Sequence, residues 1–283
     1  MNKIAVVTDT NSGMPREEAE KLGVTLIPMP FMVDDNEYFE GVTCTYEHFF
    51  EMLAEGKNVS TSQPDPFSIT KTWDKLLETH DGIIYLPMSS ALSGSCQSAR
   101  ALAADYGEKV YVADNKRISF SLYEATLDAV ELAGQGLSPR EIGEILEKKG
   151  LDSSIYLAVN TLTLLKKSGR VTAAGAALAT ILGLKPVLQI QGEKLDAYAK
   201  VRGMKAAEKA MFEAIEKDAD TRFKGKKLRI GTAYSGSDEN GREWVQLVRE
   251  HFGDNTIKLH RLPISICCHV GDGVHAIGCI PLD

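Results

Sequence analysis

Residues 81–98 read DGIIYLPMSSALSGSCQS. The centre of this stretch, Ile83 to Leu86, is apolar without a break and does not alternate with polar residues. Such a strand is covered on both faces, as in a parallel sheet flanked by helices. Beyond Pro87, the serines Ser89, Ser90, Ser93 and Ser95 surround Gly94, and a helical pattern runs from Ser95 to Tyr106. The stretch therefore predicts an inner strand that passes through a hydroxyl-rich loop into a helix. In open α/β sheets that carboxyl edge is where ligands sit.

The neighbouring segments extend the pattern. Ile4 to Val7, Thr25 to Val33 and the run from Lys109 read as further strands, with Pro28 and Pro30 demoting the second toward an edge. Helical patterns cover Glu47 to Ala54, Pro66 to Glu78 and Ile118 to Ala133. Ser138-Pro139-Arg140-Glu141 has the capping-box form with proline at the first helical position. The second half is more mixed. Ser154 to Val159 reads as a strand, Leu162 to Lys167 as a short helix, and Thr172 as the start of a small-residue helix through Leu182. A hairpin is expected around Gly192-Glu193. Helix, strand, helix and two strands complete the chain. The expected architecture is α/β throughout. An N-terminal three-layer α/β domain with a parallel sheet covers residues 1–152. A C-terminal two-layer α/β domain with a mixed sheet covers residues 153–283.

Composition narrows the function. The chain has 283 residues with 32 basic and 39 acidic side chains, net −7, which argues against non-specific nucleic-acid binding. The basic run Arg222 to Arg229 reads as a solvated turn before a strand. Cys44, Cys96, Cys267, Cys268 and Cys279 are odd in number and contain no C-x-x-C pair, so neither a disulfide framework nor a zinc site is expected. Asp34-Asp35-Asn36-Glu37 lacks the spacing of a calcium loop. The first ten residues hold only a four-residue apolar run. The longest small-apolar stretch, Ala173 to Leu184, falls short of the ~20 residues that span a bilayer. A cytoplasmic protein with reduced thiols is expected.

Four segments carry candidate chemistry. The Ser89–Ser98 loop presents hydroxyls and a helix N-terminus, which suits an oxyanion held by neutral donors; an ordinary serine cap would look similar. No lysine or arginine lies between Asp81 and Arg100, so a carboxylate fits this loop better than a phosphate. Val59-Ser60-Thr61-Ser62-Gln63-Pro64 is a second hydroxyl-rich loop, open to the same two readings. Cys267-Cys268-His269-Val270-Gly271-Asp272-Gly273 places a histidine beside two glycines. Lys166-Lys167-Ser168-Gly169-Arg170 is a cationic helix end. The nucleophile elbow G-x-S-x-G, the P-loop and G-x-G-x-x-G are all missing. A serine hydrolase with Ser93 as nucleophile, His269 as base and Asp272 or Asp114 as orienter is the enzymatic alternative. A nucleotide-binding regulatory domain is a third reading.

Together these segments resemble the DegV family. The resemblance is carried by Val7-Thr8-Asp9-Thr10, Ser60-Thr61-Ser62-Gln63-Pro64 and Ser89-Ser90-Ala91-Leu92-Ser93-Gly94-Ser95-Cys96-Gln97-Ser98-Ala99. It continues in Leu164 to Arg170, Lys185-Pro186-Val187-Leu188, Val201-Arg202 and His269-Val270-Gly271. It implies a non-catalytic, fatty-acid-binding protein with two α/β domains, the acid lying between them. It further implies a role as the fatty-acid-binding subunit of a bacterial fatty-acid kinase. In that role the carboxylate of a palmitate-like ligand is presented to a separate ATP-binding kinase, with no further cofactor. By resemblance, Thr61 and Ser93 hold the carboxylate with His269 beside them, and Ser62, Ser90 and Gly94 belong to the same site. Arg170 and Arg202 face the kinase or the incoming phosphate. The chain departs from the family in Thr10, where serine is usual, and in Gly271-Asp272-Gly273, where Gly-Pro-Gly is usual. Asp272 thus brings a negative charge toward the histidine. The segment Ala173 to Leu184, with Leu162, Leu164 and Leu165, is the expected tunnel wall. A tail of roughly fourteen methylenes, at about 0.8 kcal/mol each, represents on the order of 11 kcal/mol of gross transfer free energy. The tail therefore supplies most of the affinity, and the hydroxyls set its direction.

Overall fold

The computed structural model describes residues 3–177, 184–192 and 194–282. The strands of the first half are β1 (Ile4–Asp9), β2 (Val24–Ile27), β3 (Pro30–Val33), β4 (Asn36–Phe39), β5 (Val59–Thr61), β6 (Gly82–Leu86) and β7 (Val110–Val112). Those of the second half are β8 (Ser154–Ala158), β9 (Leu184–Ile190), β10 (Asp196–Arg202), β11 (Lys227–Tyr234), β12 (Leu259–Arg261) and β13 (His275–Leu282).

The uninterrupted apolar run of β6 has the expected cause. A parallel sheet orders the strands β2-β1-β6-β7, and every residue of β6 is buried. Ile83 and Tyr85 pack with Ile69, Trp73, Cys96 and Ala99, from the helices Pro66–Leu77 and Ser95–Ala103. Ile84 and Leu86 point the other way, toward Leu122 and Ile142, from the helices Ser119–Gly134 and Pro139–Lys148. This half is a three-layer α/β unit. Ser138 accepts the amide of Glu141, and the Glu141 carboxylate accepts the amide of Ser138, which completes the capping box.

The second half forms a six-stranded mixed sheet in the order β10-β9-β8-β13-β11-β12. Its pairs are antiparallel except β11 with β12. The helices Met204–Asp220 and Asp238–Phe252 cover one face through Met211, Ile215, Trp244 and Val248. The opposite face turns toward the helix Ser119–Gly134, which packs on β1 as well as on β11 and β13. With a sheet on each side, the first two turns of that helix are buried nearly all round, and its apolar stripe widens. The hairpin of β9 and β10 forms as expected, and its tip residue Glu193 lies outside the described residues.

Several segments differ from the sequence reading: a helix, Ile264–Val270, lies between the last two strands, β4 and β5 replace an expected turn and loop, and two further cases have a clear cause. Thr25 to Val33 is not one strand. It breaks at Pro28-Met29, with β2 at the edge of the parallel sheet and β3 at the centre of a small antiparallel sheet, β4-β3-β5. Pro28 and Pro30 lack the amides that a continuous ladder needs. The basic run is also not merely solvated. Arg222 donates to the carbonyls of Leu151 (2.9 Å) and Ser153 (3.2 Å) and to the Ser154 hydroxyl. Arg229 pairs with Glu124, whose side chain is only 5% exposed. Arg229→Ala is expected to lower unfolding stability by about 2 kcal/mol, because it strands a buried carboxylate. Denaturant midpoints check this, and an unchanged midpoint refutes it.

Candidate functional site

β1 and β6 lie side by side in the parallel sheet, and the order reverses between them: β2 flanks β1, and β7 flanks β6. The chain leaves both strands at this switch point, where a crevice opens beyond their carboxyl ends. Asn11 follows β1 there, and Met88 to Gly94 follow β6. The C-terminal sheet closes the crevice from the other side and leaves a cavity of about 340 Å³. That volume falls within the ~300–1,000 Å³ of small-molecule sites.

Six polar residues form one group in the wall, Thr61, Ser62, Gln63, Ser93, Arg170 and His269, while Asn11, Ser119 and Ser265 line it elsewhere. Thr61 ends β5, paired with Phe31, so a strand rather than a loose loop holds its hydroxyl. The helix that follows is capped by Asp65, which accepts the Ser68 amide at 2.9 Å. Asp65 thereby leaves the Thr61 and Ser62 hydroxyls unused for capping. The two hydroxyl-rich loops meet through Gln63, whose Oε1 accepts the Ser98 hydroxyl at 2.5 Å. A Cβ at Gly94 would lie 2.7 Å from Gln63 Nε2, so the glutamine amide packs closely on the glycine. Arg170 donates from Nε to the Leu92 carbonyl at 3.3 Å, tying the second half to the Ser93 loop.

Thr61 Oγ1 and His269 Nε2 share a hydrogen bond of 3.0 Å. His269 comes from the helix Ile264–Val270, and its Nδ1 is buried without a hydrogen-bond partner among the described residues. Burial, then the Arg170 charge, push its pKa down to about 4. Near neutral pH the ring is uncharged, and the cation in the wall is Arg170. A carboxylate entering here meets hydroxyls, a neutral imidazole and one guanidinium. That is a more cationic setting than the sequence reading of neutral donors alone.

The remaining candidate residues are placed as follows. Gly94 lines the cavity with Ser93. Ser90 does not: its hydroxyl donates to Asp114 at 2.5 Å and accepts from Lys116 at 2.7 Å. Arg202 is exposed at the end of β10 and is also not part of the wall. Asp272 is exposed, and its carboxylate lies over Gly236 rather than against His269. Leu165 lines the cavity, whereas Leu162 and Leu164 do not. Of the expected tunnel helix, Ala173–Ala177 is helical, and residues 178–183 lie outside the described residues. The hydrolase arrangement is not assembled. His269 bonds Thr61 instead of Ser93, Asp114 is held by Ser90 and Lys116, and no carboxylate orients Nδ1. Among the described residues, no group of three or more His, Cys, Asp or Glu side chains is placed to hold a metal ion.

The apolar wall comes mostly from residues that sequence reading did not select. Leu157, Ala233 and Ala276 form one row across the C-terminal sheet, and Ile155, Gly231 and Gly278 form the next. The alternation Gly231-x-Ala233 and Ala276-x-Gly278 marks one face of each strand as unusually small. That was the available signal.

Residues 3–282 match the profile of the DegV family, described as an uncharacterised protein family. A DegV domain-containing protein of Deinococcus radiodurans is 30% identical over 280 residues, covering 99% of each chain. A solved DegV family protein from Thermus thermophilus, described by its fatty-acid binding, covers all of both chains at 29% identity and a TM-score of 0.88. The Bacillus subtilis DegV, described as a fatty-acid-binding protein, also covers both chains in full, with a TM-score of 0.85. At 24% identity, that second likeness is one of fold.

Proposed function

The chain belongs to the DegV family, and on that ground we propose that it binds a long-chain fatty acid in the 340 Å³ cavity. It presents the carboxylate to a separate ATP-binding kinase, which makes the acyl phosphate. The observation that carries this reading is the division of the cavity wall. Thr61, Ser62, Gln63, Ser93, Arg170 and His269 form one polar group in the wall, and the C-terminal sheet contributes an apolar face. The fatty-acid binding of the Thermus thermophilus relative supports it.

In this reading Thr61 and Ser93 donate to the carboxylate, with Ser62, Gly94 and His269 around it. Arg170 stands at the head group, while exposed Arg202 belongs to the surface that meets the kinase. A palmitate-like chain is the ligand we favour, and the two domains divide at Asp152. No helix among the described residues is long and apolar enough to cross a membrane. All five cysteines are buried free thiols, which supports a place in the reducing cytoplasm.

Each lost hydrogen bond to a charged head group is worth ~1.5–3 kcal/mol. Ser93→Ala is therefore expected to weaken fatty-acid binding about tenfold or more. Adding Thr61→Val weakens it further and lowers acyl phosphate formation in a reconstituted reaction with the kinase. Organic extraction with mass spectrometry, followed by titration of delipidated protein, tests this. Wild-type protein that neither carries nor takes up acyl chains would end the reading.

A further inference from the structure

Phe120 has no role in the head-group chemistry, yet its position is tightly specified. It follows Ser119, one of three non-glycine residues with positive φ among the described residues (+53°), a conformation that costs energy and is kept only where the surroundings demand it. That turn lays the Phe120 ring onto the facing glycine pair Gly231 and Gly278, matched in register on β11 and β13. A Cβ at Gly231 would lie 2.1 Å from the ring, and one at Gly278 would lie 3.1 Å from it. The glycines form a notch in the sheet face, and the ring fills it. β13 begins at His275, five residues beyond the end of the helix that carries His269. The Ala233–Ala276 row comes first, and the glycine row lies two residues farther along, about 7 Å away. Phe120 thus stands at the part of the cavity remote from the polar cluster.

Behind Phe120 lies His260, with ring centroids 5.9 Å apart. His260 lines a second cleft, of about 760 Å³, together with Met14, Ala19, Val24 and Leu26. Phe120 lines the first space and His260 the second, so two packed rings stand between them.

We propose that Phe120 is the end wall of the acyl cavity and sets the longest chain the protein accepts, with His260 behind it as backing. This rests on the fatty-acid reading above. Each methylene that finds apolar cover tightens binding about fourfold, so affinity climbs with chain length until the tail meets the ring.

The test titrates delipidated wild type, Phe120→Leu and Phe120→Ala with saturated acids from lauric to behenic. In wild type, affinity should rise, peak and then fall. The peak should move to longer acids in Phe120→Leu and farther in Phe120→Ala, and Phe120→Leu alone decides the matter if the alanine variant does not fold. Identical peaks in wild type and variants would overturn the end-wall assignment and leave fatty-acid binding intact. Uptake of no acid by any of the three proteins would overturn the fatty-acid reading itself, and this inference with it.

Discussion

Ala276→Phe is expected to abolish acyl binding while leaving the protein as stable as before, or more stable. Ala276 is 4% exposed and lines the cavity from the centre of the C-terminal sheet, between Leu157 on β8 and Ala233 on β11. A phenyl ring there projects into the space assigned to the tail. If it denies cover to half of roughly fourteen methylenes, the loss is on the order of 5 kcal/mol, a thousandfold or more in affinity. The same ring fills a void, and cavity filling commonly adds ~0.5–2 kcal/mol of stability. The backbone carbonyl of Ala276 keeps its bond from Trp244 Nε1. Calorimetric titration and a thermal melt separate the two effects. Unimpaired binding in a folded variant would place the acyl chain elsewhere.

His260→Phe is expected to flatten the loss of stability in acid. Burial, then the nearby Lys258 charge, hold the His260 pKa down at about 4, against 6.5 in the unfolded chain. A histidine depressed in this way contributes stability that is present above pH ~6.5 and disappears as the pH falls toward ~4. A shift of this size is worth about 3 kcal/mol. Asp9 pushes the other way. It is fully buried, and desolvation raises its pKa to about 6 although Met88 and Asn11 donate their amides to it. Its contribution is full below pH ~4 and is lost as the pH rises through ~6. Burial raises Glu40 and Glu124 as well. The difference between wild type and variant isolates the histidine from these carboxylates. Denaturant unfolding near pH 7 and near pH 4 should show the gap between the two proteins change by about 3 kcal/mol in favour of the variant at acid pH. A constant gap would mean that His260 titrates normally in the fold.

The legible part of the site was the part written in local chemistry. Ser93 and Gly94 announce themselves by following an apolar strand, and Thr61 by its hydroxyl-rich neighbours. His269 stands out less, through the flanking glycine at 271. What single segments do not carry is which of them meet. Ser90 has the same local appearance as Ser93, yet it turns away to Asp114 and Lys116. Thr61 gains a fixed position only because β5 pairs with β3, a sheet hidden inside a stretch that reads as one strand broken by prolines. The acyl wall was the least legible part. It is spread over four strands, each of which contributes only one to three small or apolar residues to the cavity.

By itself the sequence determined the alternation of strands and helices, the buried parallel strands, the caps and the family. All of these follow from backbone propensity, hydrophobic period and short motifs, which act over a few residues. The tertiary structure alone decided that a six-stranded sheet closes the crevice, that Gly231 and Gly278 stand opposite each other beneath Phe120, and that Arg170 enters the polar part of the cavity wall. Those outcomes depend on strand register and on contacts between residues tens to more than a hundred positions apart. Local preference does not specify such contacts. They form only when burial of the two sheets against the helix Ser119–Gly134 outweighs the entropy of bringing distant segments together.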